Sequence, residues 1–207
     1  KELMKFQDKL LYSHNAFEEL FDDNNHRHDK RLEALKFFEK KGFPSRKDEA
    51  WKYTSLNSLI NRDYALFPKK ETPIELKKVK KFFLYEIDTY KIIFIDGVYS
   101  PFLSDTTHDG LDVCLMSAAL SKFKYRKIIE RYFGNVADNK DSLTALNTSY
   151  TREGAYIYVP KNVVAEKPIE IIHFSTGKEQ AIWLQPRNLI CLLYTSPSQR
   201  DRQKSRM

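Results

Sequence analysis

The apolar positions at the start of the chain recur at helical spacing. They fall three or four residues apart in a polar background, at Leu3, Phe6, Leu10, Phe17, Leu20 and Phe21. A polar stretch over residues 22–28 separates this segment from a second one with the same period. The second segment meets a typical stop at Gly42, with Pro44 two residues later. The pattern predicts a pair of helices, then a helical turn that Ser45 begins and that runs to Trp51.

The middle of the chain contains the first strand signals. Two apolar runs, residues 82–85 and 90–95, predict strands. Asp96-Gly97 comes directly after the second run and predicts a β-hairpin, because both central residues of such a tight turn need positive φ. Apolar residues at helical spacing then predict two helices, which end at Gly134 and near Gly154.

From Ala155 onward the pattern changes to strands without helices between them. Short β-type runs follow one another about every ten residues, separated by Pro, Gly and Asn. Such spacing is typical of a sandwich, a barrel or the opening rungs of a β-solenoid. The local pattern alone leaves these three architectures open.

Composition places the chain among globular proteins. Its 207 residues are 42% hydrophobic and 30% charged, and no run approaches the roughly 18 apolar residues of a membrane span. No signal peptide is visible. Two cysteines, Cys114 and Cys191, cannot build a disulfide framework or a four-thiolate zinc site. We therefore expect a protein of the reducing cytoplasm.

The net charge of +7 includes a lysine cluster, Lys69–Lys81, around two prolines. This cluster predicts an exposed connection and supports an alternative function, a small basic RNA-binding module. Glu71 and Glu75 offset part of the charge, and aromatic residues are not interleaved before Phe82. A solvated polar face is therefore the simpler interpretation.

The last residues break the pattern that precedes them. Residues 191–207 have no apolar period after the first few positions and carry four basic side chains against Asp201. The stretch resembles translated sequencing-adapter DNA, so we predict a non-native tail and exclude it from the fold argument. The alternative is a genuine disordered basic tail.

Several residues are candidates for chemistry, and each has a simpler structural explanation. His26 and His28 lie in a polar stretch without a nearby third ligand, and Cys114 lies in an apolar run typical of a buried thiol. Glu49, Trp51 and Tyr53 on a short turn suit domain packing, and Asp105, His108 and Asp109 lack a partnered nucleophile. No phosphate-binding glycine loop is found. We expect no catalytic, cofactor-binding or metal-binding residue and no enzymatic activity.

Several motifs in consistent order resemble a known family. Residues 42–56, Gly-Phe-Pro-Ser-Arg-Lys-Asp-Glu-Ala-Trp-Lys-Tyr-Thr-Ser-Leu, are similar to a signature near the N-terminus of the SufD branch of the SufB/SufD family. The segments 94–100 and 143–147 agree with the hairpin and helix that follow in that family. Residues 154–162 with 168–171 resemble the entry into its core, and residues 186–190 resemble the continuation of that core. The resemblance covers about residues 1–190 in consistent order.

The resemblance implies an α+β fold: a helical N-terminal domain, then the first rungs of a right-handed parallel β-helix. We expect a helical region at 1–66, a mixed α/β connecting region with the hairpin at 67–154, the β-helix start at 155–190 and the tail at 191–207. A solenoid that ends there would expose its last rung, including Trp183, Leu184, Leu189 and Ile190.

The resemblance also implies a function. Family members are non-catalytic scaffold subunits of iron–sulfur cluster assembly, in which SufD pairs with SufB and each docks a SufC ATPase. The whole complex handles an iron–sulfur cluster and reduced flavin. The family's proposed cluster positions and its ATPase-docking part lie beyond residue 190, so no site residue is carried over to this chain.

Overall fold

The structure is a computed structural model that describes residues 5–20, 26–67, 72–105, 110–137, 141–177 and 181–193. The helices are α1 (Phe6–Glu18), α2 (His26–Lys41), α3 (Asn57–Ile60), α4 (Leu76–Lys80), α5 (Met116–Leu120), α6 (Phe123–Tyr132) and α7 (Ser142–Tyr150), with a 3-10 turn at Glu49–Trp51. The strands are β1 (Ala65–Leu66), β2 (Tyr90–Ile95), β3 (Val98–Tyr99), β4 (Asp112–Leu115), β5 (Ala155–Val159), β6 (Ile169–Phe174), β7 (Ile182–Trp183) and β8 (Leu189–Leu192). None of these described helices is long and apolar enough to cross a bilayer.

The predicted helical pair is confirmed as α1 and α2. The fully buried side chains Leu10, Phe17 and Phe38 join the two helices to α7, β1 and β7 in one apolar cluster. The predicted stop at Gly42 is also confirmed: its φ is +68°, and its amide donates to the Phe38 carbonyl at 2.7 Å. A left-handed glycine after the last turn is the usual way to close a helix.

Two three-stranded sheets pack face to face behind these helices, with strand orders β3-β2-β6 and β4-β5-β8. The hairpin predicted at Asp96-Gly97 joins β2 to β3, and both turn residues have positive φ, +48° and +78°. In each sheet the central strand has an antiparallel neighbour on one side and a parallel neighbour on the other.

The pleat of the two central strands separates the core into layers. Ile92 and Phe94 of β2 meet Ala155 and Ile157 of β5 in the core between the sheets. The alternate residues of β2 face the opposite way, toward α4. The alternate residues of β5 face α5 and α6. The layers therefore follow in the order α4, the β3-β2-β6 sheet, the shared core, the β4-β5-β8 sheet, and α5 with α6. This order arises because alternate side chains of a strand point to opposite faces.

The predicted parallel β-helix is wrong. The described residues form an α+β arrangement of small sheets, and none of these sheets closes into a barrel or winds into a solenoid. Among them, the one sheet whose pairing is entirely parallel is β1-β7, and it has two strands. The prediction failed because a parallel β-helix needs parallel pairing in every sheet, whereas β3 pairs antiparallel with β2 and β4 pairs antiparallel with β5. Both three-stranded sheets are therefore mixed.

Other local predictions also need correction. Residues 82–85, predicted as a strand, form a turn and an irregular segment after α4. The short strand β4, which contains Cys114, was not predicted. Trp183 is not an exposed end, since its ring lies 4.9 Å from the ring of Phe6, whereas Ile190 is indeed exposed.

The predicted tail begins inside an ordered strand. Cys191 and Leu192 belong to β8 and pair with Tyr158 and Val159, and residues 194–207 lie outside the described part of the chain. The division into regions at residues 66 and 154 stays a prediction.

A buried ionic cluster joins α1 to α2. The Glu18 carboxylate lies 2.7 Å from His28 Nδ1 and 3.3 Å from Arg31 Nη1, and the Arg31 side chain is almost wholly buried. His14, one turn before Glu18, bonds to the Ser149 carbonyl of α7 at 3.2 Å. Because a carbonyl only accepts, His14 Nε2 carries the proton of this bond. Burial lowers the pKa of His14.

This histidine predicts a loss of stability in acid. The folded protein holds His14 neutral, so the unfolded chain takes up its proton first, and stability falls as the pH drops below about 6.5. His14→Gln keeps a donor for Ser149 and should flatten that part of the curve of unfolding free energy against pH. The exposed change Tyr12→Gln on the same helix should leave the curve unchanged. Identical curves for His14→Gln and the natural protein would contradict this assignment.

Gly154 is predicted to tolerate no side chain. The backbone carbonyl of Arg187 occupies the position that a Cβ would take, and the next residue, Ala155, donates its amide to Asn188 at 2.8 Å. Gly154→Ala should therefore cost at least about 2 kcal/mol in urea unfolding, because the 187–188 backbone must move. Gly177→Ala is the control: no atom of the described residues lies within 4 Å of the added Cβ, and the φ of +59° should cost about 1 kcal/mol. Equal losses would mean that the Arg187 contact is unimportant.

Candidate interaction surface

The two cysteines lie on one face of the β4-β5-β8 sheet but on its two outer strands. Cys114 is opposite Tyr156, and Cys191 is opposite Tyr158, so the central strand lies between the thiols. Burial raises the pKa of both thiols, which keeps them protonated at neutral pH. Metals and clusters bind the thiolate. The described residues contain no group of three His, Cys, Asp or Glu side chains able to hold a metal ion.

The other candidate residues are dispersed. His26 begins α2, and His28 contacts Glu18 in the ionic cluster described above. Asp105 donates its amide to the Lys91 carbonyl at the end of the hairpin segment, and His108 and Asp109 lie outside the described residues.

The turn with Glu49, Trp51 and Tyr53 is held by Asp48, whose carboxylate accepts from the Ser45 amide at 2.7 Å. The role of this turn in domain packing stays a prediction.

The lysine cluster is built on α4. Lys77, Lys78 and Lys80 lie on this helix and Lys81 follows it, whereas Lys69 and Lys70 lie outside the described residues. Lys78 is paired with Glu75 at 3.1 Å. The side chains after the cluster include the exposed rings of Phe82 and Tyr85 as well as the exposed aliphatic Leu84 and Ile87, which do not stack on bases. The RNA-binding alternative stays a prediction.

Helix α6 forms another basic surface. Its inner face buries Tyr125 and Ile129, and Phe133 just after the helix joins them against β5. The Tyr125 hydroxyl donates to the Asp112 carboxylate of β4, which fixes the helix across the sheet. Its outer face is basic, with exposed side chains at Lys122, Lys124, Arg126, Lys127 and Arg131.

The basic side chains of α6 lie over aromatic rings. The Lys127 ammonium is 4.7 Å from the centre of the exposed Phe123 ring, and Lys124 is 4.2 Å from that of Tyr158. The Arg131 guanidinium lies 5.4 Å from the Tyr132 ring. Such contacts are worth about 0.5–1 kcal/mol at exposed sites, and they hold the cations against the helix.

Among the described strands, β8 is the outer strand of its sheet, beside α6. The Leu193 amide donates to Val159 of β5, so by alternation the N–H and C=O groups of Ile190 and Leu192 point away from the sheet. The side chains of Ile190 and Leu192 are 55% and 50% exposed. An exposed strand edge with apolar side chains is a site where another strand can pair.

A groove of about 570 Å³ runs between α6 and β8. We call this the α6–β8 surface; it comprises Lys127, Ile128, Arg131, Tyr132, Val136 and residues 189–193. It offers cations, apolar contacts and backbone hydrogen-bond groups, which suits binding of a polypeptide. The basic residues within 122–131 can be read from the sequence. The open edge of β8 cannot, because it depends on the pairing of β8 with β5.

The chain is similar to proteins of iron–sulfur cluster assembly. A sequence profile described as "SufBD protein N-terminal region" matches residues 5–171. An iron–sulfur cluster assembly SufBD family protein of Synechocystis sp. is 25% identical over 147 residues, which are 71% of this chain and 32% of that protein. The iron–sulfur cluster assembly protein SufD of Escherichia coli is 31% identical over 137 residues, 66% of this chain and 29% of that protein. The chain thus spans about a third of the curated relatives that it matches.

The environment of the thiols generates a prediction. Since burial raises the pKa of Cys114 and Cys191, both should react with a disulfide reagent near neutral pH more slowly than a cysteine in an unfolded peptide. Absorbance of the released thiolate measures the rate, and Cys114→Ser and Cys191→Ser separate the two sites. The same protein in urea is the control and should react at the unfolded rate. A thiol that reacts faster in the folded protein would contradict the prediction.

Proposed function

The chain belongs to the SufBD family, and from this membership we propose that it acts as a non-catalytic scaffold subunit in iron–sulfur cluster assembly. Its relatives carry that process in their names. The proposed scaffold role is inferred from the α6–β8 surface. The chemistry of this surface is that of polypeptide binding rather than of proton transfer or nucleophilic attack.

The proposed partners are a SufB-like subunit, with which the protein pairs, and a SufC-like ATPase, whose docking part in the family lies beyond residue 190. The cluster is cargo of the complex, and no residue of this chain is assigned to the cluster or to reduced flavin. A cytoplasmic location belongs to the same proposal, because assembly of this kind requires reduced thiols.

The open edge of β8 is the observation that supports docking most directly. The outward backbone groups of Ile190 and Leu192 can each exchange hydrogen bonds with an added strand. The basic wall of α6 lies beside them, so an incoming segment meets directional and electrostatic contacts together. A surface of this kind fixes where a partner sits, which is the task of a scaffold.

The test is binding of the purified protein to the SufB-like and SufC-like subunits of the same organism. We expect a stable complex in size-exclusion chromatography and calorimetry. Ile190→Glu with Leu192→Glu places two carboxylates at the edge and should weaken binding of one subunit at least about tenfold.

Val164→Glu is the matched control, because Val164 is 85% exposed and lies away from the α6–β8 surface. Circular dichroism should show that all variants fold alike. A natural protein that binds neither subunit would overturn the proposed function. Equal affinity of the edge variant and the control would remove the α6–β8 surface from it.

A further inference from the structure

A cavity lies where the helical cluster meets the turn of the β2-β3 hairpin. Five large aromatic rings line it: Phe17, Phe67, Phe94, Tyr150 and Trp183. Three of these rings, on α1, β2 and α7, are almost wholly buried, so the inner wall is apolar. The exposed residues His173 and Pro186 also line the cavity, which gives a small molecule a route from solvent.

Phe67 is held in a strained backbone conformation at this cavity. Its φ is +58°, a left-handed value that is unfavourable for any residue with a bulky side chain. Its ring stacks on that of Tyr150, with centroids 5.6 Å apart and planes at 11°, and lies 5.0 Å from the ring of Phe17. Strained residues persist where their surroundings hold them, and they concentrate at ligand-binding sites. The strain therefore points to this wall as a place of ligand contact.

The indole of Trp183 gives an independent indication of a ligand. Its Nε1 is shielded from solvent and has no hydrogen-bond acceptor among the described residues. The ring itself is fixed, because it lies at a steep angle 4.9 Å from the ring of Phe6 and 5.5 Å from that of Tyr64. A buried indole N–H normally donates to a partner. A ligand with an acceptor oxygen would supply that partner.

The charged groups at the cavity favour an uncharged ligand. The wall includes the carboxylates of Asp96 and Glu153 and the guanidinium of Arg152. The Asp96 carboxylate accepts from the amide and the hydroxyl of Thr176, at 2.9 and 2.7 Å, and Glu153 accepts from the Ser117 amide at 3.2 Å. A cation would compete with these bonds, and an anion would meet two carboxylates against one guanidinium. Either ion would also lose its hydration among the aromatic rings.

The size of the cavity limits the ligand to one ring. Its volume is about 60 Å³. On the same scale one water needs roughly 10–15 Å³, so the cavity has room for about four to six waters. That number of waters fills roughly 120–180 Å³ of liquid, and an engineered apolar cavity of about 150 Å³ binds benzene. A single six-membered ring therefore fits, whereas a fused ring system does not.

We propose that this cavity is a binding site for a small uncharged aromatic molecule, a single ring that carries one hydrogen-bond acceptor. The ring packs against the aromatic wall in edge-to-face or offset contacts, and its acceptor oxygen accepts from Trp183 Nε1. Because the wall is built from α1, α7, β2 and β7, a bound ring ties the helical cluster to the β3-β2-β6 sheet. The site shares no residue with the α6–β8 surface and does not depend on the proposed function.

The experiment uses phenol as the probe, because phenol is a single uncharged ring with one acceptor oxygen. Calorimetry measures its affinity for the natural protein and for Phe67→Gly, which removes one wall and suits a backbone with positive φ. Phe102→Gly is the matched control, because Phe102 is 84% exposed and does not line the cavity. Three further compounds test the ligand class: cyclohexanol lacks the aromatic ring, naphthol adds a fused ring, and benzoate adds a negative charge.

Nuclear magnetic resonance of the indole N–H groups locates the bound ring. The chain has two tryptophans, so the spectrum of Trp51→Phe identifies the signal of Trp183. Phenol should shift the Trp183 signal and leave the Trp51 signal unchanged. Circular dichroism shows whether each variant is folded.

We expect phenol to bind one to one with a Kd below about 1 mM, and each of the three other compounds to bind at least about tenfold more weakly. Phe67→Gly should weaken the binding of phenol at least about tenfold, because one wall of the cavity is lost. Phe102→Gly should bind phenol with the affinity of the natural protein.

Three results would overturn the proposal. Without saturable binding and without a shift of the Trp183 signal, the cavity holds water only. If cyclohexanol binds as tightly as phenol, the aromatic class is wrong. If folded Phe67→Gly and Phe102→Gly bind phenol equally well, phenol binds elsewhere. Should Phe67→Gly fail to fold, the compound series and the Trp183 signal of the natural protein decide the question.

Discussion

The structure depends on burying both faces of two short strands. Ile92–Ile95 of β2 and Ala155–Tyr158 of β5 are almost wholly inaccessible to solvent, so each strand needs an apolar layer above and below it. One layer is shared between the sheets, and the two outer layers must come from other elements. The segment around α4 and Phe83 covers β2, and α5 with α6 covers β5. The α6–β8 surface includes the outer side of one of these covering elements, α6.

The sequence predicted the elements whose formation depends on residues that lie close together in the chain. The α1–α2 pair follows from apolar period, the end of α2 from Gly42, and the hairpin from Asp96-Gly97, and each requirement is met within a few residues. The sheet arrangement could not be predicted in this way, because β1 pairs with β7 and β2 with β6, and these strands lie far apart in the sequence. The regular spacing of β runs left a sandwich, a barrel and a solenoid open, because spacing carries no information about which strand pairs with which, and the β-helix was implied by the family resemblance alone.

The candidate surface was predictable in part for the same reason. The basic residues of α6 stand in the sequence, but their meaning depends on β8 lying beside them with Ile190 and Leu192 turned outward. The segment 82–85 shows the opposite error. Its apolar run predicts a strand. In the structure Phe83 points inward and the neighbouring side chains point outward, so the segment exposes apolar side chains to solvent and does not pair in a sheet.

The pairing of β1 with β7 has a consequence for synthesis. Ala65 leaves the ribosome long before Ile182, its partner, has been made. At translation rates of about 5–20 residues per second, the interval is on the order of ten seconds. During that interval Tyr64 and the aromatic residues of α1 lack Trp183, which completes their cluster. The nascent helical region must therefore be shielded by a chaperone or remain loosely packed until the last strands emerge.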